Sequence, residues 1–282
     1  MDGYVEANGL RVHYLDHGGS GPLMVLLPGL SANAHFFDAI AADGLSAAAR
    51  VIALDLRGRG ETERPTTGFG LEEHARDVLG VLDGLGLDRP VLGGHSYGAA
   101  LTYYLAINHP DRFDRYVVFD PPLLVTEATL EAIKPSLSRL ANPRPDLATY
   151  VEHVKAMPYF EGWEWDSRLE GFYRAEIRQR SDGSVVARPD PDDMLAVFES
   201  LVGVDWLARP EALRQPFLFL RARDGFGPPG SPPATTEQDL ERARAAHRDL
   251  TVAEFDGNHI TFMWEPVAAS VAAAVASFVK RA

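Results

Sequence analysis

The pentapeptide Gly94-His95-Ser96-Tyr97-Gly98 constrains this chain more than any other feature of its sequence. It lies between a short apolar run, Pro90 to Leu92, and a stretch of small and apolar residues, Ala99 to Asn108, which read as a strand and a helix. A Gly-x-Ser-x-Gly sequence in that setting specifies a sharp strand-to-helix turn that holds the serine hydroxyl clear of the backbone. The two glycines are required sterically, because a side chain at Gly94 or Gly98 would meet neighbouring backbone in so tight a turn. The serine itself adopts a strained backbone conformation, and its hydroxyl is exposed as a result.

Strand and helix signals alternate on both sides of that turn. Tyr4 to Asp16 reads as two short strands meeting at Asn8-Gly9, a dipeptide that favours a tight hairpin. Leu23 to Leu27 and Val51 to Leu54 are continuous apolar runs ending in Pro28-Gly29 and Asp55, the pattern of strands buried on both faces. Further strands are expected at Tyr116 to Phe119, Phe217 to Arg221 and Leu250 to Phe255. Helices are expected at Phe36 to Leu45, Leu71 to Leu85, Glu237 to His247 and Val267 to Lys280. This alternation specifies an α/β fold, a mostly parallel central sheet with helices on both faces. It lapses from Leu123 to Arg209, where helical patterns are interrupted by Pro135, Pro143, Pro145 and Pro158 and aromatic residues gather. The expected organisation is a core of residues 1–122 and 210–282 carrying an inserted helical cap, residues 123–209. One biased segment, the Gly/Pro-rich loop Gly225 to Pro233, follows Asp224.

Composition removes several alternatives. With 282 residues, 46% of them hydrophobic, the chain can bury one large core. It has no cysteine, which excludes disulfides, thiolate metal sites and a cysteine nucleophile. A net charge of −13 with scattered arginines and few lysines argues against nucleic acid as a partner. No stretch reaches the ~18 apolar residues that span a bilayer, and Met1 to Leu10 has no basic region followed by an apolar run. A soluble, cytoplasmic protein without a membrane partner is expected. No cluster of His, Asp and Glu has metal-ligand spacing, so no metal is expected.

A serine hydroxyl is a weak nucleophile at neutral pH; it needs a base to take its proton, and the base needs a carboxylate to fix its tautomer. With Ser96 as nucleophile, the candidate bases in the C-terminal part are His247 and His259. His247 lies in the charged segment Glu241 to Arg248 and reads as a solvated surface residue. His259 follows a strand in Asp256-Gly257-Asn258-His259, on a loop that can reach the C-terminal edge of the sheet, and is assigned as the base. The acid has two candidates, Asp224 and Asp120, each following a parallel strand. Asp224, one strand before that of His259, is preferred; Asp120 reads as a strand terminator beside Pro121, and Asp256 as turn chemistry. The developing oxyanion needs backbone N–H donors, assigned to Tyr97, next after the nucleophile, and Leu30, in the loop Pro28-Gly29-Leu30-Ser31. Candidate substrate contacts are His35 near that loop and, in the cap, Trp163 and Trp165, with Phe172 and Tyr173 as further members of an apolar wall.

In order, Pro28-Gly29-Leu30, Asp55-Leu56-Arg57-Gly58-Arg59-Gly60, Gly94-His95-Ser96-Tyr97-Gly98, Asp224 and Gly257-Asn258-His259 resemble the α/β-hydrolase superfamily, over essentially the whole chain except the cap. The resemblance implies that family's fold, its Ser-acid-His order and its freedom from cofactors, and Arg57 then reads as structural. Aspartate in place of Ser96 would have indicated a dehalogenase or an epoxide hydrolase. Pro28-Gly29 departs from the His-Gly dipeptide common before the family's oxyanion loop. The expected activity is hydrolysis of a carboxylic ester or lactone of a small hydrophobic substrate through an acyl-enzyme. Carbon–carbon bond hydrolysis or a lyase reaction with the same triad is the alternative. A ligand receptor without turnover is a third reading, disfavoured because a binding module gains nothing from a strained serine turn.

Overall fold

Asn8 and Gly9 both take positive φ, 49° and 78°, as a two-residue hairpin turn of mirror-image type requires of its central residues. They join β1 (Asp2–Ala7) to β2 (Leu10–Gly18) in an antiparallel pair. The chain continues through β3 (Leu23–Leu27), β4 (Arg50–Leu54), β5 (Val91–His95) and β6 (Tyr116–Phe119). A small hairpin, β7 (Ile177–Gln179) and β8 (Val185–Ala187), precedes β9 (Phe217–Ala222) and β10 (Leu250–Phe255). The computed structural model describes residues 1–227 and 230–281. Pro228 and Pro229, within the Gly/Pro-rich loop, lie outside the described residues.

The main sheet runs in the order β1-β2-β4-β3-β5-β6-β9-β10. β2 pairs antiparallel with both β1 and β4, and every pairing from β4 to β10 is parallel. Its two faces build separate cores because side chains alternate along a strand. Val25, Leu27, Val118 and Phe219 enter the core shared with the helices Leu71–Gly84 and Tyr97–Asn108. Met24, Leu26, Val117 and Leu218 enter the other, shared with the helix Ala268–Val279. Strands buried on both sides must be apolar throughout, and each fully buried Val, Leu or Phe contributes about 1.5–3 kcal/mol. The sheet is therefore anchored along its centre, where the C-terminal ends of β5 and β6 come to lie.

Between β6 and β9 four helices occur, Glu127–Ala141, Leu147–Lys155, Ser167–Glu176 and Pro191–Glu199, capped by the side chains of Thr126, Asp146, Asp166 and Asp190. The first runs through position 135, where the proline predicts an interruption. The β7–β8 hairpin is not expected from the helical reading of this segment. The helix expected at Phe36 to Leu45 is a 3₁₀ turn (Ala34–Phe37), one α turn (Asp38–Ile40) and a π turn (Ala41–Leu45), in which Gly44 at φ 130° departs from helical geometry. His247 is buried rather than solvated: it accepts from the Tyr103 hydroxyl at 3.2 Å and donates to the Ala243 carbonyl at 2.8 Å. Among the described residues no helix is long and apolar enough to cross a membrane.

Candidate active site

Ser96 follows β5 directly and precedes the helix Tyr97–Asn108, with φ 54° and ψ −116°. A side chain pays for such a conformation only where the surroundings enforce it. They do so through the two glycines. A Cβ on Gly94 would lie 2.0 Å from the Gly98 carbonyl oxygen, and one on Gly98 would lie 2.1 Å from the Leu27 carbonyl oxygen. The strand, the serine and the helix are thus pressed against the end of β3, and in the run 91–100 Ser96 alone is not fully buried.

The β5–β6 register pairs His95 with Phe119, so the residues that follow, Ser96 and Asp120, leave neighbouring strands at the same edge. The Ser96 N–H donates to the Phe119 carbonyl at 3.1 Å. Asp120, wholly buried and itself at positive φ (48°), accepts a hydrogen bond from His259 Nδ1 at 2.7 Å. That bond favours the tautomer that carries its proton on Nδ1 and has Nε2 as the acceptor nitrogen.

The carboxylate on His259 Nδ1 is Asp120 and not Asp224, the acid preferred from the sequence. Asp224 Oδ2 accepts from the Gly257 N–H at 2.9 Å, and its own N–H donates to the Gly257 carbonyl at 3.0 Å. Asp224 lies two residues beyond the end of β9, level with the loop that leaves β10, and pairs with the backbone of that loop instead of reaching the ring. The loop is further fixed by Asn258, whose side-chain oxygen accepts from the N–H groups of Ile260 and Thr261 at 3.0 and 3.1 Å. His95 Nε2 donates to the His259 carbonyl at 2.8 Å. Burial, reinforced by His259 nearby, pushes the His95 pKa well below the ordinary histidine value, so this ring is a neutral donor.

Ser96, His259 and Leu30 line one cavity of about 160 Å³ together with Gly29 and Phe36. Tyr97 is the first residue of its helix, so its N–H lacks an intrahelical acceptor and the positive end of the helix dipole lies beside Ser96. Its phenol points away into the core, where burial raises its pKa. The Leu30 segment is held from behind by Arg59, wholly buried, whose Nε donates to the Leu30 carbonyl at 2.8 Å. Burial pulls the Arg59 pKa down to about 10. Arg57 has a structural setting, with Nε and Nη2 on the Asp77 carboxylate at 2.7 and 2.6 Å.

The segment between β6 and β9 supplies the facing wall. Phe172 and Tyr173 line the cavity, as do Tyr159 and Phe226, whose ring lies 4.9 Å from that of His259. Trp163 and Trp165, read as substrate contacts, are not among the lining residues. Trp165 stacks on the far side of Tyr173, ring centroids 5.5 Å apart, and Trp163 borders a separate groove beside Asp224. The helix Ser167–Glu176 turns Phe172 and Tyr173 toward the cavity, and Trp165 packs on Tyr173. His35 is likewise displaced: it borders a different surface groove, and its Nδ1 pairs with Asp38 at 2.8 Å, which raises its pKa.

Two charged residues line the same cavity, Arg139 and Glu176. Arg139 donates to both carboxylate oxygens of Glu176, at 2.8 and 2.9 Å, and to the Tyr150 hydroxyl at 2.6 Å; that hydroxyl donates to Glu176 at 2.5 Å. Burial opposes the guanidinium charge, but Glu176 outweighs it and holds the Arg139 pKa well above its ordinary value. Sequence reasoning missed this pair, although a signal exists: Leu169, Phe172, Tyr173 and Glu176 form one buried helical stripe, and a carboxylate within an apolar stripe demands a partner.

The description α/β hydrolase fold matches residues 22–266, and the chain belongs to that family. Within it, the chain is 36% identical over 122 residues to N-formylmaleamate deformylase of Pseudomonas putida, covering 43% of this chain and 45% of that protein. The chain matches less than half the length of the first curated relatives. Among solved structures it superposes on E-2-(acetamidomethylene)succinate hydrolase with a TM-score of 0.83 at 21% identity, covering 100% of this chain and 99% of the other. An enol-lactonase from Burkholderia xenovorans LB400 gives a TM-score of 0.71 at 20% identity, covering 99% and 100%. These likenesses are of fold.

Proposed function

We propose that the chain is a serine hydrolase that cleaves a carboxylic ester or lactone of a small, largely apolar substrate through an acyl-enzyme. The observation that carries this reading is the connected arrangement of Ser96 on its strained turn, His259 on the same cavity and Asp120 2.7 Å from His259 Nδ1. In the proposed reaction Ser96 Oγ attacks the acyl carbon as His259 Nε2 takes its proton, and Asp120 stabilises the imidazolium. The N–H groups of Leu30 and Tyr97 receive the oxyanion. His259 then protonates the leaving alcohol, and water, activated by the same base, releases the acid. No step calls for a metal or cofactor. Residues 123–209 act as a cap, since they supply the wall opposite Ser96.

The cavity, about 160 Å³, is below the roughly 300–1,000 Å³ of drug-sized sites, which favours a small acyl group. A second reading is cleavage of an N-acyl bond, favoured by the relative named as an N-formylmaleamate deformylase. Carbon–carbon bond cleavage beside a ketone uses the same residues. One experiment tests the common mechanism and separates the three: a fluorophosphonate should label Ser96, and wild type but not Ser96→Ala should turn over one class in a panel of short esters, N-acyl amides and a diketone. Undiminished turnover by folded Ser96→Ala would refute the mechanism.

A further inference from the structure

The Arg139–Glu176 pair has no place in the chemistry above, yet both side chains border the cavity that holds Ser96. A buried ion pair adds little to stability, because desolvating two charges offsets most of their attraction. Here the pair also defines what the polar part of the cavity can accept. Of the five N–H donors of a guanidinium, Arg139 commits three to Glu176 and Tyr150. Its charge is matched by one carboxylate, and both oxygens of that carboxylate are engaged.

We propose that Glu176 is a specificity-determining residue that occupies the carboxylate seat on Arg139, so that the cavity takes substrates bearing an uncharged hydrogen-bond acceptor, such as a ketone or amide carbonyl, and rejects substrates bearing a free carboxylate. An uncharged carbonyl can accept from the donors Arg139 has left over without upsetting the charge balance. A second carboxylate cannot: it would leave a net negative charge in a cavity walled by Phe172, Tyr173 and Phe226. The inference rests on reading this cavity as the substrate site. It makes Glu176 a switch, because removing its charge alone leaves a guanidinium fork whose geometry fits a carboxylate.

The test is a binding measurement in the Ser96→Ala protein, where turnover plays no part, using two ligands of nearly equal shape, methyl 4-oxopentanoate (neutral) and monomethyl succinate (anionic), by calorimetry. With Glu176 in place the ketone ester should bind tighter than the acid by about tenfold or more. Adding Glu176→Gln should raise affinity for the acid by about tenfold or more while changing the ketone ester little. The first comparison needs no change at Glu176 and so does not depend on that variant folding. Tighter binding of the acid with Glu176 present, absence of ketone-ester binding, or an unchanged ratio in a folded Glu176→Gln protein would each overturn the proposal. Loss of Ser96 labelling by fluorophosphonate, by contrast, bears on the nucleophile alone.

Discussion

Replacing Asp120 by Asn is the most informative single change, because it retains the shape of a wholly buried side chain and removes its charge. In the proposed reaction His259 becomes an imidazolium while the serine attacks. With an effective dielectric of about 20, two unit charges separated by the observed 2.7 Å attract by about 6 kcal/mol, an upper limit on what Asp120 supplies. At about 1.4 kcal/mol per decade that corresponds to about four powers of ten in rate. The tautomer acts in the same direction, since an amide N–H facing Nδ1 would move the ring proton to Nε2 and block the base; on the best-studied triad this change costs about 10⁴. Asp224→Asn is the control. An asparagine oxygen can still accept from Gly257 N–H, so only one charge-assisted bond is weakened, worth about 1 kcal/mol, or less than about tenfold. The assay is the second-order rate of fluorophosphonate labelling at Ser96, which reads activation of the nucleophile without knowledge of the substrate, followed by kcat and KM on an ester that wild type accepts. Circular dichroism checks that both variants fold. A larger loss in Asp224→Asn than in Asp120→Asn would refute this account of the acid.

Gly98→Ala should lower Tm by about 5 °C or more, since a Cβ 2.1 Å from the Leu27 oxygen forces the helix off the sheet at a cost of about 3 kcal/mol or more. A Tm within the error of wild type would contradict the packing argument. Stability should also depend on pH through His95. Unfolded, this ring takes up a proton near pH 6.5, whereas folded it stays neutral well below that value. Its contribution is therefore complete above about pH 6.5 and is lost as the pH falls toward the depressed folded value. His74, buried beside Arg59, shifts in the same direction for the same first cause, burial. Tm should thus decrease from about pH 7 to pH 5, less steeply in His95→Gln; equal slopes in the two proteins would rule His95 out as a source.

What was legible in the sequence is what neighbouring residues decide among themselves. The turn at Ser96 is announced by Gly94, crowded by the Gly98 carbonyl four residues on, although the crowding at Gly98 itself comes from the distant Leu27 carbonyl. Asn8-Gly9 announces the hairpin in the same way, and the strands at Leu23–Leu27 and Tyr116–Phe119 have the expected limits because both of their faces are buried. The β7–β8 hairpin was missed although Asp182-Gly183, with Gly183 at φ 86°, is a turn signal of the kind that marks β1–β2. Its strands have three residues each, too few for a period to show. The cavity wall was hidden for another reason. Whether Trp165 or Tyr173 faces Ser96 depends on how the helix Ser167–Glu176 lies over the sheet, and no local spacing records that.

The carboxylate that meets His259 was hidden by register, and its position explains how that ring is oriented. Asp120 and Asp224 both follow parallel strands, and chain order treats them alike. Only the pairing of His95 with Phe119 brings Asp120 beside Ser96, at the one edge from which a carboxylate can meet His259 Nδ1. Asp224, just beyond the end of β9 and so next to β10, instead meets the loop that carries His259 and ties its first turn at Gly257. The backbone of His259 is held independently by the neutral donor His95, the residue immediately before Ser96. The ring is thus restrained at Nδ1 by one carboxylate, its loop by another, and its carbonyl by the strand that delivers the serine. With Nδ1 taken by Asp120, Nε2 is the ring nitrogen left for the proposed proton transfer, and a base so oriented before substrate arrives has little reorganisation left to undergo in the proposed transition state.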